Sequence, residues 1–243
     1  MNIKLDLEFD GTNYCGWQIQ PDMPTVQGKI KEAIYKATGE DTMPKGSSRT
    51  DSGVHAKGFV CNFNTNTTIP VHKLPHALNC HLPEDIIVRG AEAVDDGFIA
   101  SASAIKKTYR YTFDNGEFSN VFLSRFAWHF KYPLDIDKMR EAAKHFIGTH
   151  DFVGFAASGF TVKTTIRTIY ELKIEQSGNI ITMDITGNGF LYNMVRIIAG
   201  TLAYVGSGKI EPHDIPAIIE SRDRTRAGIT APAKGLCLRE VFY

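Results

Sequence analysis

The stretch Ile166-Arg-Thr-Ile-Tyr-Glu-Leu-Lys-Ile-Glu-Gln-Ser177-Gly178-Asn179-Ile-Ile-Thr-Met-Asp-Ile-Thr-Gly187 holds two runs in which apolar and polar residues alternate, joined across Ser177-Gly178. Alternation with a period of two gives a strand one buried and one wet face, and a short glycine-containing link lets the chain reverse. The stretch therefore predicts a β-hairpin. An antiparallel pair in a chain that also carries helices favours an α+β fold with helices flanking a mostly antiparallel central sheet.

The same periods recur outward from the hairpin. Ile3, Leu5, Leu7 and Phe9 alternate with Lys4, Asp6 and Glu8, and Tyr109, Tyr111 and Phe113 alternate with Thr108, Arg110 and Thr112, so both stretches read as strands. Further strands are expected at Phe59–Phe63, Ile86–Val94 and Leu236–Phe242. Thr25 can cap a helix whose apolar stripe is Val26, Ile30, Ala33, Ile34 and Ala37, with Gly39 as its stop. Helical spacing also marks Val71–Asn79, Asp135–Ile147, Phe190–Val205 and Pro212–Glu220. A strand-helix-strand unit in each half permits a duplicated architecture. The expected division is an N-terminal half, 1–104, and a C-terminal half, 105–243.

At 243 residues, with 43% hydrophobic and 22% charged side chains, the chain can bury a core and is neither disordered nor fibrous. No apolar run is long enough to span a bilayer, and the alternating start is unlike a signal peptide, which points to a cytoplasmic protein without a membrane partner. Lys plus Arg equals Asp plus Glu at 27 each, so the whole chain is not a polybasic binder. Its charge is uneven, however: residues 105–170 hold 10 basic and 6 acidic side chains, against 9 and 13 in residues 1–104. A local phosphate-binding face is thus available in the middle of the chain. Cys15, Cys61, Cys80 and Cys237 form no paired ligand motif, so they read as free thiols; His76, Cys80 and His81 lack zinc spacing.

Gly208-Lys209 fails as a P-loop because Ala203 and Ile210 stand where glycine and a hydroxyl residue are needed. Ser103-Ala-Ile-Lys106 lacks the companion elements of a Ser-x-x-Lys enzyme, and His150-Asp151 reads as a turn or cap. Ser48-Arg-Thr-Asp51-Ser-Gly53-Val-His55-Ala crowds a carboxylate, a guanidinium and an imidazole into a loop before a strand. That spacing fits either an Asx-turn with Arg49 in a surface ion pair or a reactive loop on a rigid scaffold.

The segment resembles the Gly-Arg-Thr-Asp-x-Gly-Val-His-Ala signature of the tRNA pseudouridine synthase A family. Phe9-Asp-Gly-Thr-x-Tyr14-x-Gly16-Trp17-Gln18, Thr25-Val26-Gln27, Asn79-x-x-Leu82-Pro83-x-Asp85-Ile86, Lys107-Thr-Tyr109-Arg-Tyr111, His150-Asp151-Phe152, Gly189-Phe190-Leu-Tyr-Asn193-Met-Val-Arg196 and Gly235-Leu236 resemble further family blocks in the same order. Ser48 replaces the usual glycine, and Ser101 stands where many members carry an arginine, which puts one RNA contact in doubt.

The resemblance implies an isomerase that converts uridine to pseudouridine at positions 38, 39 and/or 40 of the tRNA anticodon stem-loop, recognising tRNA shape and extruding the target base. It breaks the bond between N1 and C1′, turns the base and joins C5 to C1′, so no cofactor and no metal is required. Asp51 is the implied catalytic carboxylate, whether it adds covalently or removes a ribose proton. Arg196 is implied to pair with Asp51 and help displace the base, and Tyr109 to stack on uracil and relay the C5 proton. Its strand position alone suits Tyr109 better to an ordinary core. Arg49, Lys106, Lys107 and Arg110 are the candidate substrate contacts. One catalytic unit with the active-site cleft between two similar halves is implied as well, and so is a homodimer gripping one tRNA. A non-catalytic RNA-binding module would be expected to lack Asp51, Tyr109 or Arg196; a glycoside hydrolase needs two facing carboxylates where this segment offers one.

Overall fold

Ile3, Leu5, Leu7 and Phe9 are all buried, as their alternation predicts. They line the central strand of the first of two units in the computed structural model, which describes residues 1–159 and 162–243. The first unit contains β1 (Asn2–Phe9), α1 (Val26–Thr38), β2 (Lys45–Gly46), β3 (His55–Asn64), α2 (Leu74–Asn79) and β4 (Ile86–Val94). β1 lies between β3 and β4 and runs antiparallel to both; β2 pairs with β3. Thr25 Oγ1 caps α1 by accepting from Gly28 N at 3.3 Å, and Gly39 ends it in the left-handed region, so both sequence signals act as read. Ile30 and Ile34 of α1 and Leu74 and Leu78 of α2 are fully buried in the core.

The second unit contains β5 (Lys106–Asp114), β6 (Trp128–His129), α3 (Ile136–Lys144), β7 (Gly148–Asp151), β8 (Ile166–Ser177), β9 (Ile180–Gly187), α4 (Met194–Gly206) and α5 (Ile215–Ser221). Its strand order is β5-β9-β8-β7, antiparallel throughout, with β6 parallel to β5 at the side. The predicted hairpin is β8–β9, closed where Ser177 pairs with Ile180. One face buries Tyr109, Tyr111, Phe113, Met183, Ile185, Leu172 and Ile174. The other is polar, with Thr108 bonded to Thr186 at 2.8 Å and Lys173 to Glu171 at 2.6 Å.

The last strand corrects the predicted division. β10 (Leu236–Phe242) pairs in parallel with β3, Cys237 opposite His55 and Leu238 opposite Ala56, and Ile105 N donates to Phe242 O at 2.8 Å. Residues 237–243, like Ile105, therefore belong to the first unit, because a strand goes where its main-chain hydrogen bonds are made. Several element boundaries also differ from those the sequence predicts. β3 starts at His55, earlier than Phe59. α4 starts at Met194, later than Phe190, because Asn193 adopts φ 60° and cannot continue a right-handed helix backwards. No helix among the described residues is long and apolar enough to cross a membrane.

Candidate active site

Asp51 lies half-buried in the loop between β2 and β3, and Arg49 two positions earlier is exposed. The loop is fastened to the segment after β1. Trp17 N donates to Thr50 O at 3.1 Å, while Tyr14 O accepts from Gly53 N at 3.2 Å and Ser52 Oγ at 3.3 Å. The turn itself closes through the Asp51 carbonyl, which accepts from Val54 N at 3.1 Å. Tyr14 is fixed in turn by Asp85: its hydroxyl donates to Oδ1 at 2.5 Å, Asn13 Nδ2 donates to Oδ2 at 3.3 Å, and Asp10 N donates to the Asp85 carbonyl at 2.9 Å. Burial and then the bond to Asp85 push the Tyr14 phenol well above its ordinary range. Asn79 sets the start of β4 by bonding both main-chain groups of Val88, at 2.9 and 2.8 Å. Two of the quoted sequence blocks, 9–18 and 79–86, thus converge on the support of one carboxylate-bearing loop. Ser48 has no left-handed backbone angle, so serine in place of glycine is accommodated there.

The other candidates belong to the second unit. Tyr109 is 8% exposed, and its ring meets Phe190 edge-on with centroids 5.3 Å apart and planes at 86°. Strand alternation puts Lys107 on the Tyr109 face of β5 and Lys106 and Arg110 on the other. Burial lowers the Lys107 ammonium from its ordinary 10.5 to about 8. Arg110 forms a two-pronged pair with Asp184, Nε to Oδ1 at 2.7 Å and Nη2 to Oδ2 at 2.5 Å, on the polar sheet face. Arg196 stands in the first turn of α4; Nε donates to Ala231 O at 2.7 Å and Nη1 to Asn193 Oδ1 at 2.7 Å.

Gly200 lets another stretch of the chain approach α4 closely. The segment after α5 packs on this helix: Gly228 N donates to Thr201 Oγ1 at 2.9 Å, and a Cβ on Gly200 would strike the Ile229 carbonyl. Phe190 has a role that helical spacing does not reveal, since that spacing makes it the first residue of the helix Phe190–Val205. It lies in the turn before α4, against Tyr109. The signal was the glycine and asparagine around it, Gly189 and Asn193, which favour a turn there. His150 and Asp151 end β7, and Asp151 fastens the turn that follows, its Oδ1 accepting from Val153 N at 3.2 Å and Thr165 Oγ1 at 2.6 Å.

Residues 7–100 and 142–243 match the family model described as tRNA pseudouridine synthase. The tRNA pseudouridine synthase A of Thermoanaerobacter sp. (strain X514) is 51% identical over 242 residues, spanning 100% of this chain and 99% of that protein. The tRNA pseudouridine synthase A 2 of Clostridium perfringens and the tRNA pseudouridine synthase A of Acetivibrio thermocellus are each 50% identical over the same spans. A chain from the crystal structure of a Cbf5-Nop10-Gar1 complex is similar at 11% identity and a TM-score of 0.36. It covers 98% of this chain and 58% of that one, a likeness too slight to add to the family match.

Proposed function

Because this chain belongs to the tRNA pseudouridine synthase family, we propose that it isomerises uridine at positions 38, 39 and/or 40 of the tRNA anticodon stem-loop, with Asp51 as the catalytic carboxylate. The observation that carries this reading is the way the Asp51 loop is held: its main chain is fastened to Trp17 and Tyr14, and Tyr14 to Asp85. A carboxylate on a loop fixed from several sides keeps one geometry when an extruded base arrives, and such preorganisation supplies much of a barrier reduction. Asp51 serves as nucleophile or as base toward the ribose.

Tyr109 and Arg196 are assigned to the same reaction. The support for Tyr109 is its edge-on contact with Phe190, which fixes a ring able to stack on uracil, while its hydroxyl relays the C5 proton. The support for Arg196 is a guanidinium oriented by Ala231 and Asn193. Lys106, Lys107 and Arg49 are the favoured phosphate contacts. Arg110 is the weakest of the four charged substrate-binding candidates, because Asp184 takes both prongs of its fork. On this reading the protein works in the cytoplasm as a homodimer on tRNA, without metal or other cofactor.

Incubation with an unmodified tRNA transcript, followed by mapping of the product, tests the proposal. Pseudouridine in the anticodon stem-loop supports it; an abasic site would indicate hydrolysis, and unchanged RNA would indicate binding alone.

A further inference from the structure

His55 opens β3, four positions beyond Asp51, and its side chain is buried at 4% exposure. Its Nδ1 stands 3.1 Å from Gly11 N and 3.1 Å from Asp10 Oδ1. A ring nitrogen has one in-plane position for a hydrogen bond. It can accept from Gly11 as a bare nitrogen, or donate to Asp10 when it carries a proton. Asp10 Oδ1 is already supplied, accepting from Thr12 N at 3.0 Å and Thr12 Oγ1 at 2.5 Å. The buried Gly11 N–H needs an acceptor, and His55 Nδ1 is placed to be it. As an acceptor at Nδ1 the imidazole carries its ring proton on the buried Nε2.

The turn that His55 holds is the root of the segment supporting Asp51. A Cβ on Gly11 would collide with the Val54 carbonyl, so the turn presses on the last residue of the Asp51 loop. Tyr14 N donates to Gly11 O at 3.0 Å, and Tyr14 O in turn holds Ser52 and Gly53. Movement of Gly11 is therefore passed to Asp51 from two directions.

We infer that His55 is a positioning residue for Asp51, pinning the Asp10–Thr12 turn to β3 through Nδ1 so that the loop carrying the carboxylate keeps one conformation. The inference rests on Asp51 being the catalytic carboxylate.

The test compares His55→Leu, which keeps bulk without an acceptor, with His55→Asn, whose Oδ1 stands close to the position of Nδ1. Steady-state kinetics on tRNA are measured beside the nitrogen NMR spectrum of the wild-type imidazole. The expected result for His55→Leu is a kcat lowered about 10²-fold with KM within about threefold, since a misplaced catalytic group costs rate more than binding. His55→Asn should recover kcat to within about fivefold of wild type. The spectrum should show Nδ1 unprotonated and Nε2 protonated. An unchanged kcat in His55→Leu, an effect on KM alone, or failure of His55→Asn to recover rate would each overturn the inference. If His55→Leu does not fold, the asparagine variant and the spectrum decide, and a proton found on Nδ1 overturns it. Asp51→Asn, run in parallel, separates the two readings. Activity in Asp51→Asn removes the proposed catalytic carboxylate, whereas an inactive Asp51→Asn beside a normal His55→Leu removes only the role given to His55.

Discussion

Arg196 and Ala231 hold each other through two hydrogen bonds. Arg196 Nε donates to the Ala231 carbonyl at 2.7 Å, and Ala231 N donates back to the Arg196 carbonyl at 3.1 Å. With Nη1 on Asn193 at 2.7 Å, the guanidinium plane is set by the protein's own groups. A lysine keeps the charge but cannot reproduce a planar fork. Arg196→Lys should therefore lower single-turnover rates at least about tenfold while tRNA affinity stays within about threefold. Equal rates in the two proteins would show that positive charge alone is needed.

Gly200 supports the same arrangement from beneath. Its close approach to the Ile229 carbonyl leaves no room for a methyl group, so Gly200→Ala should destabilise the fold by about 1–3 kcal/mol through overpacking. Thermal unfolding reads this directly. An unchanged melting temperature would mean that the Gly228–Ala231 segment yields at little cost.

Asp51→Asn keeps the shape of the loop, since the bonds that fix it to Trp17 and Tyr14 are made by main-chain atoms and by Ser52 Oγ. Turnover should vanish while tRNA affinity stays within about threefold, because an amide is neither nucleophile nor base. Pseudouridine formation above a few per cent of the wild-type rate would take Asp51 out of the mechanism.

At Tyr109 the ring and the hydroxyl separate experimentally. Tyr109→Phe keeps the edge-on contact with Phe190, so binding should be near normal while turnover falls about 10²-fold. Tyr109→Leu also removes the stacking surface and should weaken binding of the extruded base by a further 1–3 kcal/mol or so. A fully active phenylalanine variant would leave Tyr109 as a stacking platform only.

Lys107 gives a pH prediction whose sign follows from its lowered ammonium. Because burial takes it from 10.5 to about 8, the unfolded chain holds this proton more tightly than the folded one. Burying the charged form destabilises the fold below about pH 8, and the penalty is relieved as pH rises toward 10.5. Replacing it with methionine should remove that rise in denaturant-measured stability. If Lys107 also touches phosphate, wild-type tRNA affinity should fall above about pH 8, and the salt dependence should flatten by about one unit of slope in Lys107→Met. A slope unaltered by the substitution would place the phosphates elsewhere.

Asp10 shows how one residue can carry several tasks with no hint of most of them in the chain. Its carboxylate caps its own turn, while its main-chain N–H binds the Asp85 carbonyl seventy-five positions away. The sequence marks the turn through Asp-Gly-Thr, but a partner that distant leaves no periodic trace.

Local physics determined a large part of this protein from the sequence alone. The alternation in β1, β5, β8 and β9, the Thr25 cap and the Gly39 stop depend on neighbours a few positions apart, so they are legible as written. The Asp51, Tyr109 and Arg196 blocks were legible by resemblance. Tertiary structure alone decided that β10 returns to β3, that Asp184 takes both prongs of Arg110, that Phe190 meets Tyr109 and that His55 reaches Gly11. Each of these is a contact between residues far apart in sequence. Its energy depends on which surfaces the folded chain brings together, and that is a property of the whole packing rather than of any local run.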